Sequence, residues 1–427
     1  MEYDLGTIRA QFPALAIRDG GEPRVYLDNP AGTQVPSTVI ERMSRSLTET
    51  NANVEGFFPT SNAVDALVYE AHVAMADLLN ASSPDEIIFG ANMTTITLHV
   101  SRSIARHLRA GDEIVLSRMD HDANVAPWLL LARDLGLEVR WLPFDTETFE
   151  FDLAELDRLL TKRTKLVCVG AASNFIGTIN DVKTIAGKAR DAGAWTYVDA
   201  VQAVPHVSTD VQDLGCDFLV CSAYKFFGPH QGILWGRREL LESLEPYKVR
   251  PAPEELPGCF ETGTPNFACM AGTTAAVDYF AWIGETLASG YHDDYPEFDG
   301  RRKHVHRALD YLFSYEKGLA THLIEGLQQL PGVTVQGITD PAAMGRRVPT
   351  VSFTVSGVEP ASIAEALGAR NIFVWNGHNY AVEAARFLGI YEAGGAVRVG
   401  PVHYNSIDEI DRLLAVLAGI LPRARIA

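Results

Sequence analysis

The sequence predicts an α/β protein: a large domain with a mainly parallel seven-stranded sheet between helices, followed by a smaller C-terminal α/β domain. Two observations carry this. Seven short apolar, β-branched runs alternate with helical patterns through the middle of the chain, and the 427 residues with 47% hydrophobic content can bury a sizeable core. A third is negative: the chain has no internal repeat or low-complexity tract that would make it an array.

The runs are Glu86 to Phe89, Glu113 to Leu116, Glu138 to Leu142, Lys165 to Val169, Trp195 to Val198, Asp217 to Val220 and Ile233 to Gly236. Patterns such as Val182 to Ala192 supply the covering helices. Residues Ala252 to Pro265, rich in Pro, Gly and Glu, predict a surface excursion that returns to a helix near Met270. A long helical stretch from Tyr291 to Leu330 ends at Pro331-Gly332. The small unit then predicts strands at Val348 to Val355, Ile372 to Trp375 and Ala396 to Val399, with helices at Pro360 to Leu367 and Ile407 to Leu421. The expected division is an N-terminal arm over 1–25 packed with the small domain, a large domain over 26–290 and a small domain over 291–427.

A net charge of −18 disfavours nucleic acid and anionic membrane surfaces as partners. MEYDLGTIRAQFP lacks a basic stretch leading into an apolar one, and runs such as Val125 to Ala132 fall short of a bilayer span, so a cytoplasmic protein is expected. Cys168, Cys216, Cys221, Cys259 and Cys269 show no zinc-binding spacing, and no metal is expected.

Ligands of doubly wound sheets bind beyond the carboxyl ends of the strands. Four polar turns follow apolar runs there: Met93-Thr94-Thr95, Asp120 to Asn124, Ser173-Asn174 and Asp199. A lone strand-end aspartate more often caps a helix. Here Gln202 follows in VDAVQA, and SAYKFFGP places Lys225 one strand later in an apolar setting that lowers an amine pKa and favours an imine.

With these motifs the chain resembles the class V aminotransferase superfamily of fold-type-I pyridoxal 5'-phosphate (PLP) enzymes, and within it the cysteine desulfurases and selenocysteine lyases. The resemblance runs from YLDNPAG at Tyr26 to Arg398 and the last helix. It implies that Lys225 holds PLP as a Schiff base and moves the Cα proton, and that Asp199 keeps the pyridine nitrogen protonated. It further implies that Gln202 bonds the phenolic oxygen and His121, in DHDAN, stacks on the ring. Thr94, Ser222 and Tyr224 would hold the phosphate, although Tyr224 stands where the desulfurases have histidine. Thr264, in ETGTPN, would reach the phosphate of a neighbouring subunit, so a homodimer is expected. Arg398 would clamp the substrate α-carboxylate, with Asn174 beside the phenolic oxygen and that carboxylate.

One departure bears on the reaction. In one desulfurase branch the loop that bears the sulfur-accepting cysteine reads RTGHHCA; here it is Trp375-Asn376-Gly377-His378-Asn379-Tyr380-Ala381. Tyr380 takes the cysteine position and Trp375 the arginine position, both as expected substrate contacts. Three outcomes of Cα deprotonation stay open: β-elimination from a sulfur-containing amino acid by a C–S lyase, epimerisation as in isopenicillin-N epimerase, and transamination. The first is favoured on resemblance. A non-catalytic protein on the same fold is disfavoured by the retention of Lys225, Asp199 and His121. The side-chain pocket would be built from Val54 to Thr60, Ala252 to Phe260 and Trp375 to Tyr380.

Overall fold

A computed structural model of the chain describes residues 3–291 and 295–421. The expected helical stretch from Tyr291 and the outer ends of the arm and small domain therefore extend partly beyond the described residues.

All seven apolar runs form strands of one sheet: β1 (Ile87–Gly90), β2 (Glu113–Ser117), β3 (Glu138–Leu142), β4 (Thr164–Gly170), β5 (Trp195–Asp199), β6 (Phe218–Ser222) and β7 (Gly232–Gly236). Their spatial order is β1-β7-β6-β5-β4-β2-β3. Only β7 runs antiparallel, to both β1 and β6, and the remaining pairs are parallel. The central strands are apolar throughout because helices cover both faces, so neither row of alternating side chains meets water. One cluster joins Ile87, Val198 and Leu219 to Met75 and Phe280 of helices Pro59–Leu79 and Phe267–Trp282. The other joins Leu116, Tyr197 and Val220 to Val100 and Trp128 of helices Met93–Ala105 and Ala126–Leu135.

The helix Gly300–Gln328 leads to a four-stranded antiparallel sheet: β8 (Val333–Gln336), β9 (Val351–Val355), β10 (Trp375–Gly377) and β11 (Ala396–Val399), in the order β8-β9-β11-β10. Two expectations change here. The run from Ile372 to Trp375 divides: Ile372–Phe373 pairs in parallel with Val25–Tyr26, and β10 begins at Trp375 on the edge of the sheet. The main-chain hydrogen bonds of a single run are thus shared between two partners. β8 was not foreseen because it is short and alternates Val with Thr and Gln after a Pro-Gly turn.

The N-terminal segment is tied to the end of the chain. Tyr3 Oη donates to the His403 carbonyl at 2.7 Å, and Arg9 Nη1 donates to the Tyr404 carbonyl at 2.7 Å. Asp28 bridges to Gly400, and Asn29 Nδ2 donates to the Gly400 carbonyl at 2.7 Å. A Cβ on Gly400 would meet Pro30 at 2.1 Å, so only glycine allows this approach. No described helix is long and apolar enough to cross a membrane.

Candidate active site

The carboxyl ends of β4, β5 and β6 open on a cavity of about 280 Å³. Its lining includes Thr94, His121, Asn174, Asp199, Gln202, Ser222, Tyr224 and Lys225. Eight residues expected in the cofactor site therefore meet around one space.

Asp199 ends β5, is 6% exposed, and accepts the Val201 N–H at 2.9 Å. Burial pushes its carboxyl up to about 6, although the Val201 N–H and Lys225 pull the other way. Lys225 sits in the short 3₁₀ turn after β6, its Nζ donating to the carbonyls of Pro30 and, at 3.0 Å, Ala31. Burial, assisted by Arg398, lowers this amine to about 7, so a large fraction is neutral at physiological pH. The ammonium form lies 4.9 Å from the Tyr224 ring centre.

His121 Nδ1 accepts the Ala123 N–H at 3.0 Å, which places the ring proton of the neutral imidazole on Nε2. Burial, with Lys225 and Arg398 nearby, lowers its pKa to about 3, so it stays neutral.

Thr94 lies in the first turn of the helix Met93–Ala105, whose N-terminus Asn92 caps by accepting the Thr95 N–H at 2.9 Å. Ser222 Oγ accepts the Met93 N–H at 3.1 Å. Gly232 makes the approach possible, since a Cβ there would meet the Asn92 backbone at 2.4 Å. The result is an open helix N-terminus flanked by hydroxyls, suited to an anion.

Four expected residues do not line this cavity. Arg398 lies behind Asn174, donating from Nη1 to its carbonyl at 2.9 Å, and is buried enough to lower its pKa to about 9. Trp375 is the direct cross-strand partner of Arg398, so both side chains share one face of the small sheet. Tyr380, 67% exposed, reaches the site through His121. Thr264 is exposed and borders two other cavities, one formed with Leu47 and Asn53 and one bounded by His230. Sequence reasoning missed Asp120 and His230. Asp120 fastens the site from below, its carboxylate accepting from Ser117 Oγ, the Gly170 N–H and Asn124 Nδ2, and burial raises its pKa to about 7. The strand-end rule had already marked its turn. His230 stacks on Tyr224 at 4.9 Å, and its place one residue after the Gly228-Pro229 of the lysine turn was the available signal.

A match to the family model described as aminotransferase class-V covers residues 25–294 and 308–413. The chain belongs to the class V aminotransferase family. A cysteine desulfurase of Pectobacterium carotovorum subsp. carotovorum (strain PC1) is 33% identical, covering 98% of each chain. One from Yersinia pestis (strain Pestoides F) is 32% identical over 98% of this chain and 99% of its own. Among solved structures, apo cysteine desulfurase from Thermococcus onnurineus NA1 superposes with a TM-score of 0.86 at 28% identity, covering 98% of each chain. An Escherichia coli cysteine desulfurase in its S-sulfonic acid form gives 0.81 at 27%, again covering 98% of each.

Class V aminotransferases are PLP-dependent, and this chain is a PLP-dependent enzyme of that family. The cavity fits the cofactor on its own terms. Asn174 Oδ1 is buried there without a protein partner, and Arg398 Nε, behind Asn174, is likewise unpaired. Buried polar atoms are rarely left so unless a ligand completes them.

Proposed function

We propose that the protein is a C–S lyase that removes the sulfur substituent from Cβ of a sulfur-containing amino acid by elimination. The observation that carries this reading is the gathering of Lys225 and Asp199 in one buried cavity, beneath a loop whose outermost side chain is the phenol of Tyr380. A phenol cannot accept sulfane sulfur. The five cysteines are all buried, and burial raises every one of their thiols, so none is a ready thiolate. The relatives described as cysteine desulfurases support chemistry at a C–S bond.

When bound, PLP supplies an electron sink conjugated to the substrate Cα. Lys225 would hold it covalently and then, as a neutral amine, take the Cα proton. Asp199 would keep its partner nitrogen protonated, a pairing that also supplies the missing counter-charge for this buried carboxylate. Gln202 would face the phenolic oxygen, and His121 would stack on the ring with Nε2–H available near the leaving group. Thr94, Ser222 and Tyr224 would hold the phosphate at the helix N-terminus.

The buried Arg398 would bind the substrate carboxylate as a fork, steadied by Asn174. Trp375 and Tyr380 would contact the substrate side chain. Thr264 of a partner subunit would complete the phosphate site in a homodimer. The exposed Leu47 and Phe57 give apolar surface for that contact. We read the location as cytoplasmic, which suits five unpaired cysteines.

The sum is amino acid plus water to pyruvate, ammonia and the sulfur leaving group, which is sulfide from cysteine, a thiol from an S-alkyl cysteine and a sulfenic acid from a sulfoxide. Cysteine, S-alkyl cysteines and their sulfoxides should release pyruvate and ammonia in equal amounts. Catalytic production of alanine with sulfide would overturn the reading, and α-deuteration without consumption of substrate would indicate an epimerase.

A further inference from the structure

Gln202 belongs to two environments at once. It lines the cavity, and its carboxamide also ends a buried polar chain that the steps above do not use. Gln202 Nε2 lies 2.9 Å from Thr350 Oγ1 and 3.3 Å from His206 Nε2. His206 Nδ1 lies 2.7 Å from Glu316 Oε2. Glu316 Oε1 accepts the backbone N–H of His403 at 2.9 Å, and His403 Nε2 meets the Tyr279 hydroxyl at 2.8 Å. His206 is 3% exposed, and Glu316 and His403 are 0% exposed.

The charges of this chain follow from its geometry. Burial opposes ionisation of Glu316, but His206 and His403 outweigh it and hold the carboxyl below its ordinary range. A buried carboxylate needs a counter-charge. His403 is a poor source, since burial lowers its pKa and its Nε2 faces the hydroxyl of Tyr279, a phenol kept protonated by burial. His206, whose Nδ1 lies 2.7 Å from the carboxylate, is the partner placed to supply it.

We propose that His206, held as an imidazolium by Glu316, fixes the orientation of the Gln202 carboxamide and turns its N–H groups toward the phenolic oxygen of PLP. A doubly protonated imidazole can only donate. Its Nδ1–H goes to Glu316, and its Nε2–H then requires an oxygen, which Gln202 Oε1 supplies. The Thr350 hydroxyl donates to the same atom. The two ends of a carboxamide are nearly equal in size, so this choice is made by hydrogen bonding. The orientation seen in the structure, with Nε2 toward His206 and Thr350, leaves Oε1 buried without a donor, and the proposed one turns the carboxamide over. The orientation seen would also set an acceptor against the lone pairs of the phenolic oxygen. His206 and Glu316 are thus positioning residues acting through Gln202, and the same histidine and carboxylate tie the cofactor's edge to the long helix Gly300–Gln328. The inference rests on PLP as the cofactor and not on the choice of elimination.

The test uses the PLP-loaded protein without substrate, with the visible absorption band titrated against pH. A hydrogen bond to the phenolic oxygen draws electron density from it and weakens its hold on the adjoining imine proton. Loss of that bond therefore raises the midpoint. Glu316→Gln and His206→Asn should each raise it by about one pH unit, the size of one hydrogen bond to a charged group. Removing one member of a buried ion pair can unfold a protein. The double variant His206→Met/Glu316→Met removes both charges together and should show the same rise. A folded, PLP-bound variant whose midpoint stays within about 0.2 units of the parent overturns the proposal, as does a fall. A purely structural role would lower the melting temperature and leave the midpoint in place. A normal titration in a protein that eliminates nothing would overturn the proposed reaction alone. A parent protein with no visible band after PLP loading would overturn this proposal together with the cofactor assignment.

Discussion

The phenol of Tyr380 lies face to face with the imidazole of His121, ring centroids 5.4 Å apart and planes 16° apart. The stack is secured through the backbone on both sides. The Tyr380 carbonyl accepts the Asp122 N–H at 2.7 Å, and the Asn379 carbonyl accepts from Asn174 Nδ2 at 2.8 Å. Asn379 and Tyr380 both take left-handed backbone angles, with φ of 50° and 59°. A loop of the small sheet is thereby seated on two strand-end turns of the large one.

Replacing Tyr380 with alanine removes the ring that covers His121. With an aromatic pair worth about 1 kcal/mol, KM for the amino-acid substrate should rise roughly threefold to tenfold while kcat stays within about threefold. Steady-state kinetics check this. A collapse of kcat at unchanged KM would instead put the phenol in proton transfer.

Lys225→Ala should abolish both covalent attachment and proton transfer. Borohydride treatment followed by mass spectrometry of the intact chain should find PLP fixed in the parent and absent in the variant. Turnover should fall by at least about 10³-fold.

Asp199→Asn separates stability from catalysis. In the cofactor-free protein the folded carboxyl ionises at about 6, and the unfolded one near 3.8. Between those values the folded state holds the extra proton, so stability falls as pH rises through the window and stays reduced above it. The penalty at neutral pH is about 3 kcal/mol. The cofactor-free variant should therefore melt higher than the parent at pH 7.5 and about equally at pH 3.5, while catalysis drops roughly 10²-fold or more. Calorimetry at the two pH values with kinetics on the loaded protein tests both halves. An unchanged melting temperature at pH 7.5 would count against the buried, unpaired carboxylate.

Leu47 is 59% exposed and Phe57 fully exposed, and Leu47 shares a cavity with Thr264. Light scattering should give twice the 46.7 kDa chain mass for the parent. Leu47→Glu/Phe57→Glu should shift it toward the monomer and weaken PLP retention, as loss of Thr264 of the partner subunit requires. A parent that is monomeric at micromolar concentration and still retains PLP would remove Thr264 from the site.

The large sheet was legible because its strands are buried on both faces, so each reads as an unbroken apolar run, and Glu138–Leu142 and Ala396–Val399 match residue for residue. β8 was not, since Thr and Gln interrupt it. In the site, Asp199 stood out because it ends an apolar run, and Lys225 because it is a lone charge within an apolar and aromatic one. Asp120 was hidden by its own neighbour, His121, which drew the functional reading. His206 and Glu316 were invisible for another reason. They lie 110 positions apart and acquire meaning only when folding removes water from both. An isolated histidine in a sequence carries no sign of that.

The closure of Asp28 and Asn29 onto Gly400 has a consequence for how the protein is made. Lys225 is held by carbonyls next to those residues, and Arg398 enters with the strand that Gly400 follows. The contacts of Asp28 and Asn29 with Gly400 span more than 350 positions. A nascent chain can assemble the large sheet early, but the residues that pin the Asp28–Asn29 segment and the clamp for the substrate arrive together, after almost the whole polypeptide has emerged. A truncated translation product would carry the reactive amine without the arginine that is to hold its substrate.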